Sequence, residues 1–188
     1  MVLFKDTEYT MLETERLRLV EMAPPIMTTL FTQCTDEEIV SFLRLESMEE
    51  FSIEQAAFSK GMVTYRTSYS NFVMVDKEEN KFIGRCGFHM WYLLHQRAEL
   101  GYAMKSDEYK GKGYMSEAIK AILDYGFGPM GLNRVEAFVG RHNPPSLRMM
   151  DKFGFTLEGV MREHFNKNGN VQDSLCFSLL KKEYKPIV

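Results

Sequence analysis

The chain predicts a mixed α/β (α+β) fold in one domain. Segments in which apolar and polar residues alternate recur along it as strands, and between them lie stretches with apolar residues at helical spacing. Polar turns join some strands directly whereas helices separate others, a mixture that belongs to a layered sheet with helices rather than to a bundle or sandwich. The 188 residues, 45% of them hydrophobic, suffice for a sizeable core. No low-complexity stretch, repeat or Pro/Gly/Ser-rich linker divides 1–188.

In chain order, Leu17 and Leu19 with flanking charges mark a half-buried strand at about 16–21. Pro24 then opens a helical region that runs to 67. Within it Ser52 and Gln55 have capping-box spacing ahead of Ala56, Phe58 and Met62. Asn71 to Asp76 and Phe82 to Tyr92 flank the turn Lys77-Glu78-Glu79-Asn80 as an antiparallel hairpin. Ala98 to Met104 alternates again, with Leu100, Tyr102 and Met104 on one face. Its other face, Glu99, Gly101 and Ala103, is nearly bare and leaves room for a group to approach the backbone. Met115, Ala118, Ile119 and Ile122 give a helix over about 114–127, followed by a strand at Arg134 to Val139. Asn143 and Pro144 start a further helix that Gly154 ends. Strands at about 155–163 and 171–180 bracket the turn Asn166 to Asn170.

Bulk chemistry excludes several roles. A net charge of −3 gives no general grip on nucleic acid. No apolar run approaches the roughly 18–20 residues that span a bilayer. Met1 to Thr10 lacks the apolar region of a secretory signal. Cys34, Cys86 and Cys176 are scattered and odd in number, which fits a reducing compartment, so the protein is expected to be soluble and cytoplasmic. His89, His95, His142 and His164 have no metal-ligand spacing, so no metal is expected. They read as structural or surface residues, with His142 notable only for adjoining Asn143.

The most informative string is Tyr109-Lys110-Gly111-Lys112-Gly113-Tyr114-Met115-Ser116-Glu117-Ala118, between a strand and an amphipathic helix. Glycines let successive N–H groups converge, and the helix adds its unpaired amides and positive dipole end, which together suit a phosphate or pyrophosphate. Lys105, Lys110 and Lys112 supply charge for further phosphate groups. A glycine-rich turn with solvated lysines is the plain alternative. The loop is not a P-loop, since no G-x-x-x-x-G-K-[S/T] string occurs there. Nor is it a dinucleotide fingerprint, because Ser116 stands at the third glycine position and the loop follows the fourth predicted strand.

This string resembles the acetyl-CoA motif of the GNAT acetyltransferases, [Q/R]-x-x-G-x-[G/A], with Lys110 first, Gly113 fourth and Met115 last. Lys110 and Met115 depart from the usual residues. The surrounding strings Leu12-Glu13-Thr14-Glu15-Arg16-Leu17-Arg18-Leu19, Ala98-Glu99-Leu100-Gly101-Tyr102, Gly131-Leu132-Asn133-Arg134-Val135, Asn143-Pro144-Pro145-Ser146 and Gly154-Phe155 follow the order of the ribosomal-protein N-acetyltransferase subgroup. The resemblance implies a central, mostly antiparallel twisted sheet of about seven strands, splayed between the fourth and fifth and flanked by helices. It implies acetyl-CoA as co-substrate, with Tyr102, Ala103 and Met104 offering backbone groups to the pantetheine. Lys110, Gly111, Lys112, Gly113, Tyr114 and Met115 would hold the pyrophosphate, and Asn143 would address the pantetheine or serve as a plain N-cap. Glu99 would accept the amine proton, unless it is a salt-bridged strand residue, and strand amides near Met104 would receive the oxyanion. Ser146 faces the CoA sulfur in the family and would protonate it, or it only caps its helix. The implied partners are acetyl-CoA and an amine acceptor, most simply a protein N-terminal amine, otherwise a polyamine, amino acid or antibiotic. A homodimer is a candidate assembly. A non-catalytic acyl-CoA-binding module is the alternative from another class.

Overall fold

The computed structural model describes residues 9–59 and 66–186. Its strands are β1 (Met11–Glu13), β2 (Leu17–Met22), β3 (Thr67–Asp76), β4 (Phe82–Tyr92), β5 (Arg97–Met104), β6 (Arg134–Gly140), β7 (Thr156–Lys167) and β8 (Asn170–Leu180). All eight form one sheet in the order β1-β2-β3-β4-β5-β6-β8-β7. Only β5 and β6 run parallel, and the sheet is otherwise antiparallel, as expected. The additional strand β1 has three residues, too short for an alternation to show in the sequence.

The parallel ladder holds only from Arg97 opposite Arg134 to Glu99 opposite Glu136. β5 continues along β4 to Met104 opposite Gly84, so its other edge is left without a ladder. The sheet therefore splays between the fourth and fifth of the predicted strands.

Successive side chains of β3 serve two cores. Phe72 and Met74 join Leu17, Leu19, Ile119, Ile122 and Met150 on one face of the sheet. Val73 and Val75 join Ile26, Leu30, Leu43 and Phe51 on the other. Helices α4 (Tyr114–Phe127) and α5 (Pro144–Lys152) thus lie on the first face, and α1 (Pro24–Gln33), α2 (Asp36–Leu43) and α3 (Met48–Ser59) on the second. Each such aliphatic or aromatic side chain contributes about 1.5–3 kcal/mol by leaving water.

Three local expectations need correction. Among the described residues the helical region is three helices, described as far as Ser59, and β3 begins at Thr67 rather than Asn71. Residues 60–65, with Met62 and Tyr65 among them, lie outside the described residues. Ser52 is no cap: it sits inside α3 and its hydroxyl donates to the Met48 carbonyl. The capping box is Thr35 with Glu38, each side chain meeting the other's backbone N–H. At the other end of the chain β7 runs past 163 to Lys167, and the turn narrows to Asn168-Gly169, both at positive φ. β7 pays out unevenly against β8, with register shifts between Leu157 and Gly159 and between Met161 and Phe165. Glu163 stands in the second irregularity at φ 53°, its N–H donating to Asp173 Oδ1.

Candidate active site

The opening between β5 and β6 borders two cavities. The first, of about 660 Å³, is lined by Tyr102, Ala103, Met104, Lys110, Gly111, Gly113, Tyr114, Met115, Asn143 and Ser146. Every residue expected to hold the co-substrate is in that set except Lys112. The cavity lies on the path from the free edge of β5 to the start of α4.

At the start of α4 the chain turns at Gly113, which has φ 86° and fills the N-cap position without a capping side chain. The first amides of α4 consequently have neither an intrahelical acceptor nor a cap, which leaves them for an anion. Arg16 fixes this turn from the β1–β2 connection. Its Nη1 donates to the Lys112 carbonyl at 2.9 Å, its Nε donates to Glu117 at 2.8 Å, and its guanidinium lies 4.5 Å above the Tyr114 ring. The Glu117 carboxylate also accepts from the Thr14 hydroxyl and the Arg16 N–H. Burial pulls its pKa upward, yet these bonds hold it below the usual carboxylate range.

Of the three lysines the sequence suggested, Lys110 lines the cavity and the other two do not. Lys105 turns away to Glu46 at 2.9 Å and Glu50 at 3.5 Å, so it is committed to the α2–α3 side. Lys110 pairs with Asp107, and Lys112 stands 6.0 Å over the Tyr109 ring. Arg148 and Lys152, one turn apart on α5, also line the cavity. Nothing local in the sequence marks them, because their position depends on how α5 packs against the sheet.

The second cavity, of about 500 Å³, contains Glu99 together with His89, Met90, Phe138, Val139 and Phe165. It shares Tyr102, Asn143 and Ser146 with the first, so the two meet at those side chains. Asn143 does cap α5, its Oδ1 accepting from the Ser146 N–H at 3.3 Å. This anchors Ser146 at the junction. The Tyr102 hydroxyl there is fully enclosed and makes no hydrogen bond of normal geometry, although the Ser146 side chain is near. Burial raises its pKa, and Ser146 opposes that shift. An orphaned buried hydroxyl at the junction fits a polar group arriving with a ligand.

Glu99 is half-buried, and burial raises its carboxyl above the ordinary range. The nearby charge of His164 opposes this, while Glu136, opposite Glu99 across the parallel ladder, adds to it. Glu136 itself is held by Arg97 and Arg134 at 2.8 Å each. Among the described residues no cluster of His, Cys, Asp and Glu has the makings of a metal site. Cys86 is enclosed in the core, where burial raises its thiol far above the usual range and makes it a poor nucleophile.

A sheet parted at its single parallel pair, with an anion-receptive turn at one end of the opening and a carboxylate at the other, defines an enzyme of group transfer. Residues 16–156 match the acetyltransferase (GNAT) domain, and the chain belongs to the GNAT family of acetyl-CoA-dependent N-acetyltransferases. It is 34% identical to the uncharacterized N-acetyltransferase p20 of Bacillus licheniformis over 92% of this chain and 97% of that protein. Spermidine N(1)-acetyltransferase of Escherichia coli is 28% identical over 58% of this chain and 62% of its own length. Among solved structures, a GNAT-family acetyltransferase from Bacillus anthracis is 26% identical with a TM-score of 0.64, covering 93% of this chain and all (100%) of that one. The ribosomal-protein-S5-alanine acetyltransferase of Vibrio fischeri shares the fold at 20% identity, with a TM-score of 0.64 over 94% of this chain and 100% of its own.

Proposed function

We propose that the chain, as a single domain over 1–188, moves the acetyl group of acetyl-CoA directly to a primary amine in the cytoplasm, and that the preferred acceptor is a protein N-terminal amine. The meeting of two cavities at Tyr102, Asn143 and Ser146 carries this reading. One, of about 660 Å³, runs along β5 to the anion-receptive start of α4 and suits the donor. The other holds a carboxylate.

In this reading the free edge of β5 at Tyr102, Ala103 and Met104 bonds the pantetheine amides, and the turn Lys110 to Met115 with the amides of α4 receives the pyrophosphate. Arg148 and Lys152 add charge for the remaining phosphate. Asn143 meets the pantetheine while capping α5. Glu99 accepts a proton from the incoming ammonium, so that a neutral amine attacks the thioester carbonyl. Amides of β5 near Met104 stabilise the oxyanion, and Ser146 donates a proton to the departing thiolate.

The acceptor follows from charge and polarity. Glu99 is the only acidic residue among the lining residues of the second cavity, whose walls include Met90, Phe138, Val139 and Phe165. A singly charged amine suits it better than a polycation, whose further charges would find no second carboxylate among these residues. A polyamine is the second reading, favoured by the likeness to spermidine acetyltransferases. Turnover of acetyl-CoA with a panel of short peptides bearing free N-termini, polyamines, amino acids and aminoglycosides decides between them. Peptides should be consumed fastest; spermidine outpacing every peptide would overturn the assignment.

A further inference from the structure

Two features of the acceptor cavity have no part in this scheme: the extra residue in β4 and the missing side chain in β5. The β4–β5 register passes from Phe88 opposite Leu100 to Met90 opposite Glu99, which makes His89 the inserted residue of a β-bulge. Bulges re-aim side chains, commonly beside active sites. This one lays the imidazole on the backbone of Gly101. A Cβ placed at Gly101 would fall 1.6 Å from Cδ2 and 1.8 Å from Nε2 of His89. The ring therefore occupies the space a side chain at 101 would have filled. Positions 99 and 101 are neighbours on one face of a strand, about 7 Å apart, and Glu99 and His89 border the same cavity. The residue is exposed to the cavity, yet desolvation of its ring against the sheet lowers the pKa, opposed by the Gly101 backbone and assisted by the Arg85 charge, which favours the neutral imidazole that can accept a proton.

Proton balance supplies the need. Between ammonium and amide the acceptor nitrogen loses two protons, while the leaving thiolate takes up one and the other goes to solvent. We infer that His89 is a second proton acceptor of the transfer, standing beside Glu99 in place of the absent side chain at 101. Glu99 takes the proton of the incoming ammonium. The amine then forms the C–N bond, and His89 takes the second proton from the nitrogen of the tetrahedral adduct. The C–S bond breaks as Ser146 passes its hydroxyl proton to the sulfur and regains one, through water, from the His89 imidazolium, while Glu99 releases the other to solvent. This inference rests on Glu99 being the first base.

The test uses His89→Gln with the fastest amine of the panel and with less basic analogues of it. The expected result is a fall in kcat of about tenfold or more, an unchanged KM for acetyl-CoA, and a defect that shrinks as the acceptor nitrogen becomes more acidic. Gly101→Ala, checked for folding by circular dichroism, should repeat the loss, because its methyl group expels the ring. Wild-type kcat in His89→Gln would overturn the inference, as would a defect equal for all amines, which is the mark of a packing role. Glu99→Gln is assayed separately. Full activity there refutes the first base, whereas the response of His89→Gln to amine basicity is read with Glu99 intact.

Discussion

Glu99 lines the second cavity and Ser146 the junction of the two, and the tasks proposed for them are separable by measurement. Because burial raises the Glu99 carboxyl, it becomes protonated, and useless as a base, at a higher pH than an ordinary carboxylate. The acidic limb of kcat/KM should accordingly lie above the usual carboxylate range. Glu99→Gln should flatten that limb and lower the rate by about 10²-fold or more, with acetyl-CoA binding unchanged. Ser146→Ala should also lower kcat, yet an acyl donor with a better leaving group should restore part of it, as it should not in Glu99→Gln. A full wild-type pH profile in Glu99→Gln would return that residue to a structural role. The carboxylate was legible in the sequence as a lone charge on a bare strand face. His89 was not, because a bulge is a property of two strands in register and the sequence shows only one at a time.

At the level of elements, the phosphate turn is where local sequence and long-range contact divide the work. Two glycines before an amphipathic helix disclose the turn on their own. Its fixation by Arg16 and Glu117 is invisible locally, since these residues are far apart in the chain and meet only when β2 docks beside α4. Gly113 has φ 86°, and a Cβ there would come within 3.2 Å of Arg16 Nη2. A β-branched residue in that left-handed conformation costs about 1–2 kcal/mol and presses on the guanidinium that shapes the turn. Gly113→Val should therefore abolish acetyl-CoA binding, measured by titration calorimetry, while far-UV circular dichroism stays near wild type. A folded variant with unchanged affinity would remove this turn from the donor site. The misplaced cap at Ser52 has a similar origin. Thr35 and Ser52 both have the Ser/Thr-x-x-Glu/Gln spacing, and only the packing of α2 and α3 against the sheet decides where each helix starts.

For the whole molecule, binding to the native state alone raises stability. At a hundredfold excess over Kd acetyl-CoA should add about 2.7 kcal/mol, which for a chain of this size raises Tm by about 5–10 °C. ATP and NAD should add little, since the turn has neither of their spacings; equal stabilisation by ATP would count against the donor assignment. The architecture was legible because strand alternation and helix periodicity survive over long segments here. The ends of β3 and β7 were not, because strand length is set by the partner strand as much as by the strand itself. β7 bears a further consequence. It closes one side of the sheet, and Leu157, Val160, Met161 and Phe165 on it are exposed. A straight strand of this kind would be a template on which other chains could stack without limit. The two register shifts and the left-handed Glu163 cut it into runs of two or three paired residues. The hairpin that supplies Phe165 to the second cavity thereby offers a neighbouring chain no long, straight edge to extend.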